Sequence, residues 1–226
     1  MAGRRFHAGA SVIRVLDTPG QTFHNLAEEP AIVPPYIVNT LLGAVAAALS
    51  LPVTLRFVEA QFMERGMQGS SFLTSTMLFG GVLGALFGPL IAGLLIAALV
   101  FGMLWIGGQA VTFRSIFSLV GYARIPLSIG ALIHAFLVTR AISPTQASRL
   151  SLSAAALAPS GTSPLLTGFL STVGPFSLWY FVLVTLGVAA VTRRAVQRVW
   201  WVAAVLYGLN LLMVLLGSGL STATLQ

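Results

Sequence analysis

The sequence predicts an all-α fold: a polytopic membrane helical bundle of about five transmembrane helices, with the N-terminus cytoplasmic and the C-terminus outside. Three observations carry that expectation. Of 226 residues, 57% are apolar and only 8% are charged, where soluble domains carry roughly a quarter. The mean hydropathy is +0.93. The apolar residues gather into stretches long enough to cross a hydrocarbon core of about 30 Å, which takes about 20 residues of helix.

The spans are expected at about 34–51, 77–106, 115–139, 175–192 and 199–216. Residues 1–33 are then a cytoplasmic N-terminal segment, 34–217 the membrane domain and 218–226 a short outer tail. The second span lies within Phe72–Ile106, which is 35 residues without a charge. It reads either as a lead-in followed by one span or as two short spans turning at Gly88-Pro89. Arginine placement favours five spans. Arg4, Arg5, Arg14, Arg114, Arg124, Arg193, Arg194 and Arg198 then fall on the N-terminal side, and Arg56, Arg65, Arg140 and Arg149 on the other, eight against four. Six spans with the N-terminus inside would leave five inside and seven outside, against the positive-inside rule. A Gly-Pro turn without polar residues is also a poor interfacial loop. Trp105, Trp179, Tyr180, Trp200 and Trp201 fall near span ends, where aromatic rings favour the headgroup level.

The connectors follow. Pro19, Pro30, Pro34 and Pro35 punctuate the N-terminal segment, and Gln21–Glu29 forms a short helix lying on the membrane surface. Residues Val53–Gln68 place Leu55, Val58 and Phe62 on one helical face and Arg56, Glu59 and Glu64 among the polar positions. They read as a solvated connector or an amphipathic helix on the outer surface. The longest connector, Ala141–Gly174, is rich in Ser, Thr and Ala, with Pro144, Pro159 and Pro164 expected to break any helix.

Composition excludes several chemistries. All 12 basic residues are arginine, so a Walker-type phosphate loop and a Schiff-base lysine are both impossible. The five acids are Asp17, Glu28, Glu29, Glu59 and Glu64. Everything after Glu64 lacks an acid, which closes the usual proton-relay and carboxylate-hydrolase routes. Cysteine is absent. His7, His24 and His134 have no ligand-like spacing. No catalytic residue, metal site or cofactor is expected. The net charge of +7 reflects arginines flanking spans, and no compact basic patch for nucleic acid is present.

The most specific stretch is Gly121-Tyr122-Ala123-Arg124-Ile125-Pro126, just after Thr112-Phe113-Arg114-Ser115-Ile116-Phe117. With Pro175-Phe176-Ser177-Leu178-Trp179 at the fourth span, and Asp17-Thr18-Pro19, Thr22-Phe23 and Glu29-Pro30 before the first, the chain resembles the YIP family (Ypt/Rab-interacting membrane proteins, Yip-one domain) in its bacterial branch. The likeness runs from about residue 15 to 217. It implies five spans, a cytoplasmic N-terminus and a membrane-organising or trafficking-type role in the cell membrane, here a bacterial inner membrane. Eukaryotic members carry Asp-Leu-Tyr-Gly-Pro before the first span. This chain has Glu29-Pro30-Ala31-Ile32-Val33-Pro34-Pro35-Tyr36 instead, so Rab binding does not carry over.

Gly121, Tyr122, Arg124 and Pro126 are therefore the candidate interaction residues. Pro126 removes a helical hydrogen bond. Arg124 has two readings: a snorkelling residue reaching lipid phosphate, which is preferred, or a buried cationic site for an anion or headgroup. Gly80, Gly84 and Gly88 form a double GxxxG register that permits close helix packing. Asn210, on the face of the fifth span that holds Tyr207, is expected to bond a neighbouring helix. His134 is read as deep in the third span. It stands six residues from Ser128, which puts the two on different faces.

Three functions compete. A noncatalytic, partner-binding or membrane-organising scaffold fits best, its partners the lipid bilayer, a membrane or cytoplasmic protein, or a second copy of the chain. The alternative is a small-solute or lipid-handling transporter or channel with its polar site around Arg124. A membrane enzyme lacks acids, thiols and metal ligands. A transport path requires Arg124, His134 and Asn210 to converge on one cavity.

Overall fold

A computed structural model describes residues 8–64, 71–143, 146, 150–159 and 161–223. Arg4, Arg5, Arg65, Gln68, Pro144 and Arg149 of the sequence argument lie outside the described residues. Within them the chain forms α1 (Ala8–Asp17), α2 (Pro19–Glu28), α3 (Val33–Glu64), α4 (Ser71–Ile106), α5 (Phe113–Ala123), α6 (Ile125–Val138), α7 (Pro164–Thr172), α8 (Pro175–Thr192) and α9 (Trp200–Ala223), with 3-10 turns at Ala154–Leu157 and Val196–Arg198. Five stretches are long and apolar enough to cross a membrane: Val33–Ala60, Ser75–Ile106, Phe113–Val138, Pro175–Thr192 and Trp200–Ser218. The third is built from α5 and α6 together.

α3 is longer than its expected span. Pro34 and Pro35 occupy its first turn, where a helix has no use for their missing N–H groups. It then continues for 32 residues, about 48 Å at 1.5 Å per residue, with Pro52 inside it. The Ser50 hydroxyl donates to the Ala46 carbonyl at 3.0 Å and the Thr54 hydroxyl to the Ser50 carbonyl at 3.1 Å, so the hydroxyls on either side of Pro52 are bonded within the helix. The amphipathic stretch starting at Val53 is thus the far end of the first span's own helix.

α4 settles the ambiguity in the second span. It is one helix of 36 residues that passes through Gly88-Pro89 without a turn. Pro89 has no N–H for the Ala85 carbonyl. That carbonyl lies against α3, 3.7 Å from where a Cβ on Gly43 would stand. The break in the ladder is therefore covered by a neighbouring helix, as a helix in lipid requires. Phe79, Val82, Ile91 and Leu95 of α4 are exposed, as on the face a lipid-contacting helix presents.

The third span is the hub. Buried residues make up 61% of its most apolar stretch, against 11% for the first span. α6 packs against α3 and α8, and α5 against α4 and α8. Three glycines let these helices close. A Cβ on Gly187 of α8 would stand 2.5 Å from Leu119 Cγ, and one on Gly130 of α6 would stand 2.8 Å from the Phe176 ring; one on Gly93 of α4 would strike Tyr36.

The N-terminal segment belongs to the same core. α1 was not expected. It forms because Val12, Val15 and Leu16 share a helical face. α2 does not lie out on a surface: Phe23 and Leu26 are 0% and 2% exposed, packed against α5 and α8. They share one cluster with Leu104, Ile116, Val188 and Val199, so α1 and α2 cap the end of the bundle where α4 and α8 finish and α5 and α9 begin. Ser118 ties the connection by donating to the Ala31 carbonyl at 2.9 Å.

At the opposite end, Pro164 starts a helix instead of breaking one. It occupies the first turn of α7, and the Ser163 side chain caps that turn by accepting from the Leu166 N–H at 3.3 Å. α7 then packs on α9, with the Thr172 and Tyr207 hydroxyls 3.0 Å apart.

Removing the anchor of the cap tests this packing. Phe23→Ala is expected to lower stability by about 3 kcal/mol and to raise hydrogen exchange across residues 8–28. Thermal unfolding and exchange mass spectrometry on the detergent-solubilised chain read both.

Candidate functional site

Arg124 is where the third span breaks. It is the last cap of α5 and the first of α6, with φ −75° and ψ −13°. The hydrogen-bond ladder nearly continues across it: its N–H donates to the Val120 carbonyl at 3.1 Å, and the Ser128 N–H donates to its carbonyl at 3.2 Å. Pro126 supplies the interruption, because it has no N–H to offer the Tyr122 carbonyl.

A side chain from α3 bridges the break. Asn39 is 0% exposed. Its Nδ2 donates to the Gly121 carbonyl at 2.9 Å, and its Oδ1 accepts from the Ser128 hydroxyl at 2.6 Å. One amide therefore holds the last turn of α5 and the first of α6 together. One turn earlier on α3, the Tyr36 hydroxyl donates to the Phe117 carbonyl at 3.2 Å, and the two rings stack with centroids 4.4 Å apart. Gly121 makes room for this. A Cβ there would stand 2.8 Å from the Tyr36 ring and 3.0 Å from Pro35.

The residues singled out from sequence are distributed as follows. Gly121, Tyr122 and Pro126 are buried in the junction, and Tyr122 is 0% exposed. Arg124 is half-buried. Its Nε is shielded from solvent without a hydrogen-bond partner, and its charge is within electrostatic reach of Tyr36 and Tyr180. Among the described residues, Gly80, Gly84 and Gly88 have nothing within 4 Å of a Cβ position, so no described helix packs on them. Asn210 is exposed on α9, while Tyr207 turns inward to Thr172 and Phe181. His134 is not deep. It is exposed and lines a cleft of about 310 Å³ with Gly130, Ser151, Ser153, Phe176 and Ser177, at the end of α6 remote from the cap. Ten residues of helix separate it from Arg124, about 15 Å along the axis. Arg124 and His134 thus lie at different depths, and Asn210 faces outward from another helix.

The residues that sequence reading missed are Tyr36, Asn39 and Ser128. Asn39 was visible as a polar residue in the middle of a predicted span. Tyr36 lies three positions before it, on the same helical face.

Two sets of variants test the junction. Asn39→Ala leaves the Gly121 carbonyl and the Ser128 hydroxyl short of a partner, and is expected to destabilise by about 1–2 kcal/mol, read as a lowered thermal midpoint. Gly121→Ala is expected to destabilise by about 1–3 kcal/mol through overpacking. Pairing it with Tyr36→Ala, which removes the ring it strikes, should recover part of that loss in a double-mutant cycle.

Comparison with known proteins agrees with this architecture. "Membrane protein YknW" of Bacillus subtilis (strain 168) is 27% identical over 204 residues, covering 88% of this chain and 86% of that protein. No solved structure matches. The Yip1 domain family model matches residues 13–218, which takes in α3 to α8 whole and most of the N-terminal cap and α9, and the chain is accordingly a multi-pass membrane protein of the Yip1 domain family.

Proposed function

We propose that the chain is a noncatalytic membrane-organising scaffold that binds protein partners, with its N-terminal cap on the cytoplasmic side. The observation that carries this reading is the dispersal of its polar groups. Arg124 and His134 lie about 15 Å apart along one span, Asn210 faces outward from another helix, and the Gly121 carbonyl of the family-like motif is engaged in joining α5 to α6. A transport path needs such groups along one water-accessible route.

The exposed surface suits a scaffold. No described helix packs on the glycine register of α4, and small residues in that spacing allow another helix to approach closely. The partner is a second copy of the chain or another membrane protein at α4, or a cytoplasmic protein at the cap. One observation favours a second reading, in which the junction handles a lipid or small anion: the partnerless Nε of Arg124.

Photocrosslinking in native membranes separates the two. Tyr122 and Phe23 are buried, so the photoreactive residues go at exposed His24 and Phe79. Discrete protein adducts at either position, lost when the probe is moved to buried Val184, are expected for the scaffold. Lipid adducts alone at both positions, together with solute flux in reconstituted vesicles that Arg124→Gln abolishes, would establish the second reading instead.

A further inference from the structure

We propose that Arg124 holds a phosphate group in the gap between α3 and α8, carried either by a phospholipid of the leaflet on the cap side or by free phosphate. The charge of Arg124 is not balanced within the protein. Its Nε is enclosed without an acceptor, and among the described residues no other buried side-chain nitrogen or oxygen is left so. No ion pair joins Arg124 to an acid among those residues. Asp17, Glu28 and Glu29 are exposed in the cap, and Glu28 turns to His24, 3.9 Å away. Glu59 and Glu64 lie on α3 beyond Asn39, about 30 Å or more along its axis. An arginine within a membrane span costs free energy until it is paired or hydrated, and a bound anion would supply the missing charge.

The gap has a floor and two walls. Arg124, Leu127, Ala131 and His134 follow one another at steps of three, four and three residues, so they share one face of the third span. On one side of that face stands α3, where Asn39 accepts from Ser128. On the other stands α8, whose Phe176 ring packs over Gly130. α3 and α8 both pack on α6 but not closely on each other, which leaves the face uncovered between them. Exposure follows the face: Arg124 and Leu127 are half-buried, and Ala131 and His134 are exposed. The charge of Arg124 reaches a tyrosine on each wall, Tyr36 of α3 and Tyr180 of α8. Its Nη groups make no hydrogen bond or ion pair among the described residues and, unlike Nε, are not enclosed. They are the donors open to a ligand.

The depth suits a phosphate. Pro35 and Tyr36 stand against Gly121, and Asn39 bonds both Gly121 and Ser128. Arg124 therefore lies beside the first two turns of α3, about 5–9 Å inward from Val33, where the first span starts. An arginine at that depth reaches the headgroup layer by extending its side chain. The planar guanidinium matches two oxygens of one phosphate. Leu127 and Ala131 lie deeper on the same face, so acyl chains hanging from the phosphate meet an apolar floor. Such a ligand is held in place, so the proposal stands beside the scaffold reading and does not rest on transport.

The test uses the full chain in dodecylmaltoside micelles. Native mass spectrometry follows titration with dioleoylphosphatidylglycerol and with dioleoylglycerol, which has the same acyl chains and no phosphate. The expected result is one phosphatidylglycerol retained per chain and no dioleoylglycerol. Retention should weaken roughly tenfold or more in Arg124→Gln, recover in part in Arg124→Lys and stay unchanged in Arg56→Gln at the far end of the bundle. Arg124→Gln breaks no side-chain hydrogen bond among the described residues, so its thermal midpoint without ligand should match wild type. In the wild-type chain, a diazirine on the acyl chain of the same lipid should label the peptide that holds Leu127 and Ala131, a readout that needs no variant. If no lipid is retained, but inorganic phosphate raises the thermal midpoint of wild type and not of Arg124→Gln, the site stands with free phosphate as its ligand. Binding of both probes within about twofold of wild type in Arg124→Gln, lipid labelling confined to other helices, or no binding of either probe by wild type would overturn the proposal.

Discussion

A single buried amide holds the centre of this protein together. The third span is central, because the first, second and fourth spans pack on it, yet its sequence puts proline two residues after an arginine at its midpoint. In lipid, water cannot take up the hydrogen bonds that such a break frees. Asn39 supplies what water would have supplied, donating to Gly121 on one side of the break and accepting from Ser128 on the other. The position of α3 follows from this: to deliver that amide, α3 must lie along α5 and α6, and Tyr36 and Pro35 then press on Gly121.

The close approaches propagate from that centre. Gly93 receives Tyr36 from α3, Gly130 receives Phe176 from α8, and Gly187 receives Leu119 from α5. Each contact sets two neighbouring helices at a distance that a larger residue would not allow. The glycines that line up most plainly in the sequence, Gly80, Gly84 and Gly88, play no part in this. Spacing alone does not say whether a small-residue face meets a helix of its own chain, another molecule or lipid.

The cap adds a second layer to the design. α1 and α2 bury Val15, Phe23 and Leu26 in the same cluster as the ends of α4, α5, α8 and α9. A ligand or partner that moved the cap would therefore disturb the packing of the hub at Ile116 and Leu119. That shared core couples the polar surface of the protein to its membrane-embedded interior.

Span number and approximate boundaries were legible in the sequence because they depend on local properties: length, hydropathy and the count of arginines between apolar stretches. The fourth span, 175–192, coincides with α8 for that reason. Proline was misjudged wherever its effect depends on context. Pro52 sits inside α3 without ending it, Pro89 sits inside α4 with its freed Ala85 carbonyl lying against α3, and Pro164 begins a helix that its isolated composition argued against. Arg124 and its motif were picked out as special, but what they do was not legible. Their geometry is decided by Asn39 and Tyr36, more than eighty positions earlier in the chain. The cleft at His134 and the outward face of Asn210 likewise follow from how the helices rotate and stack. A hydrophobic pattern constrains that rotation weakly when nearly every position is apolar, so the tertiary contacts decide it.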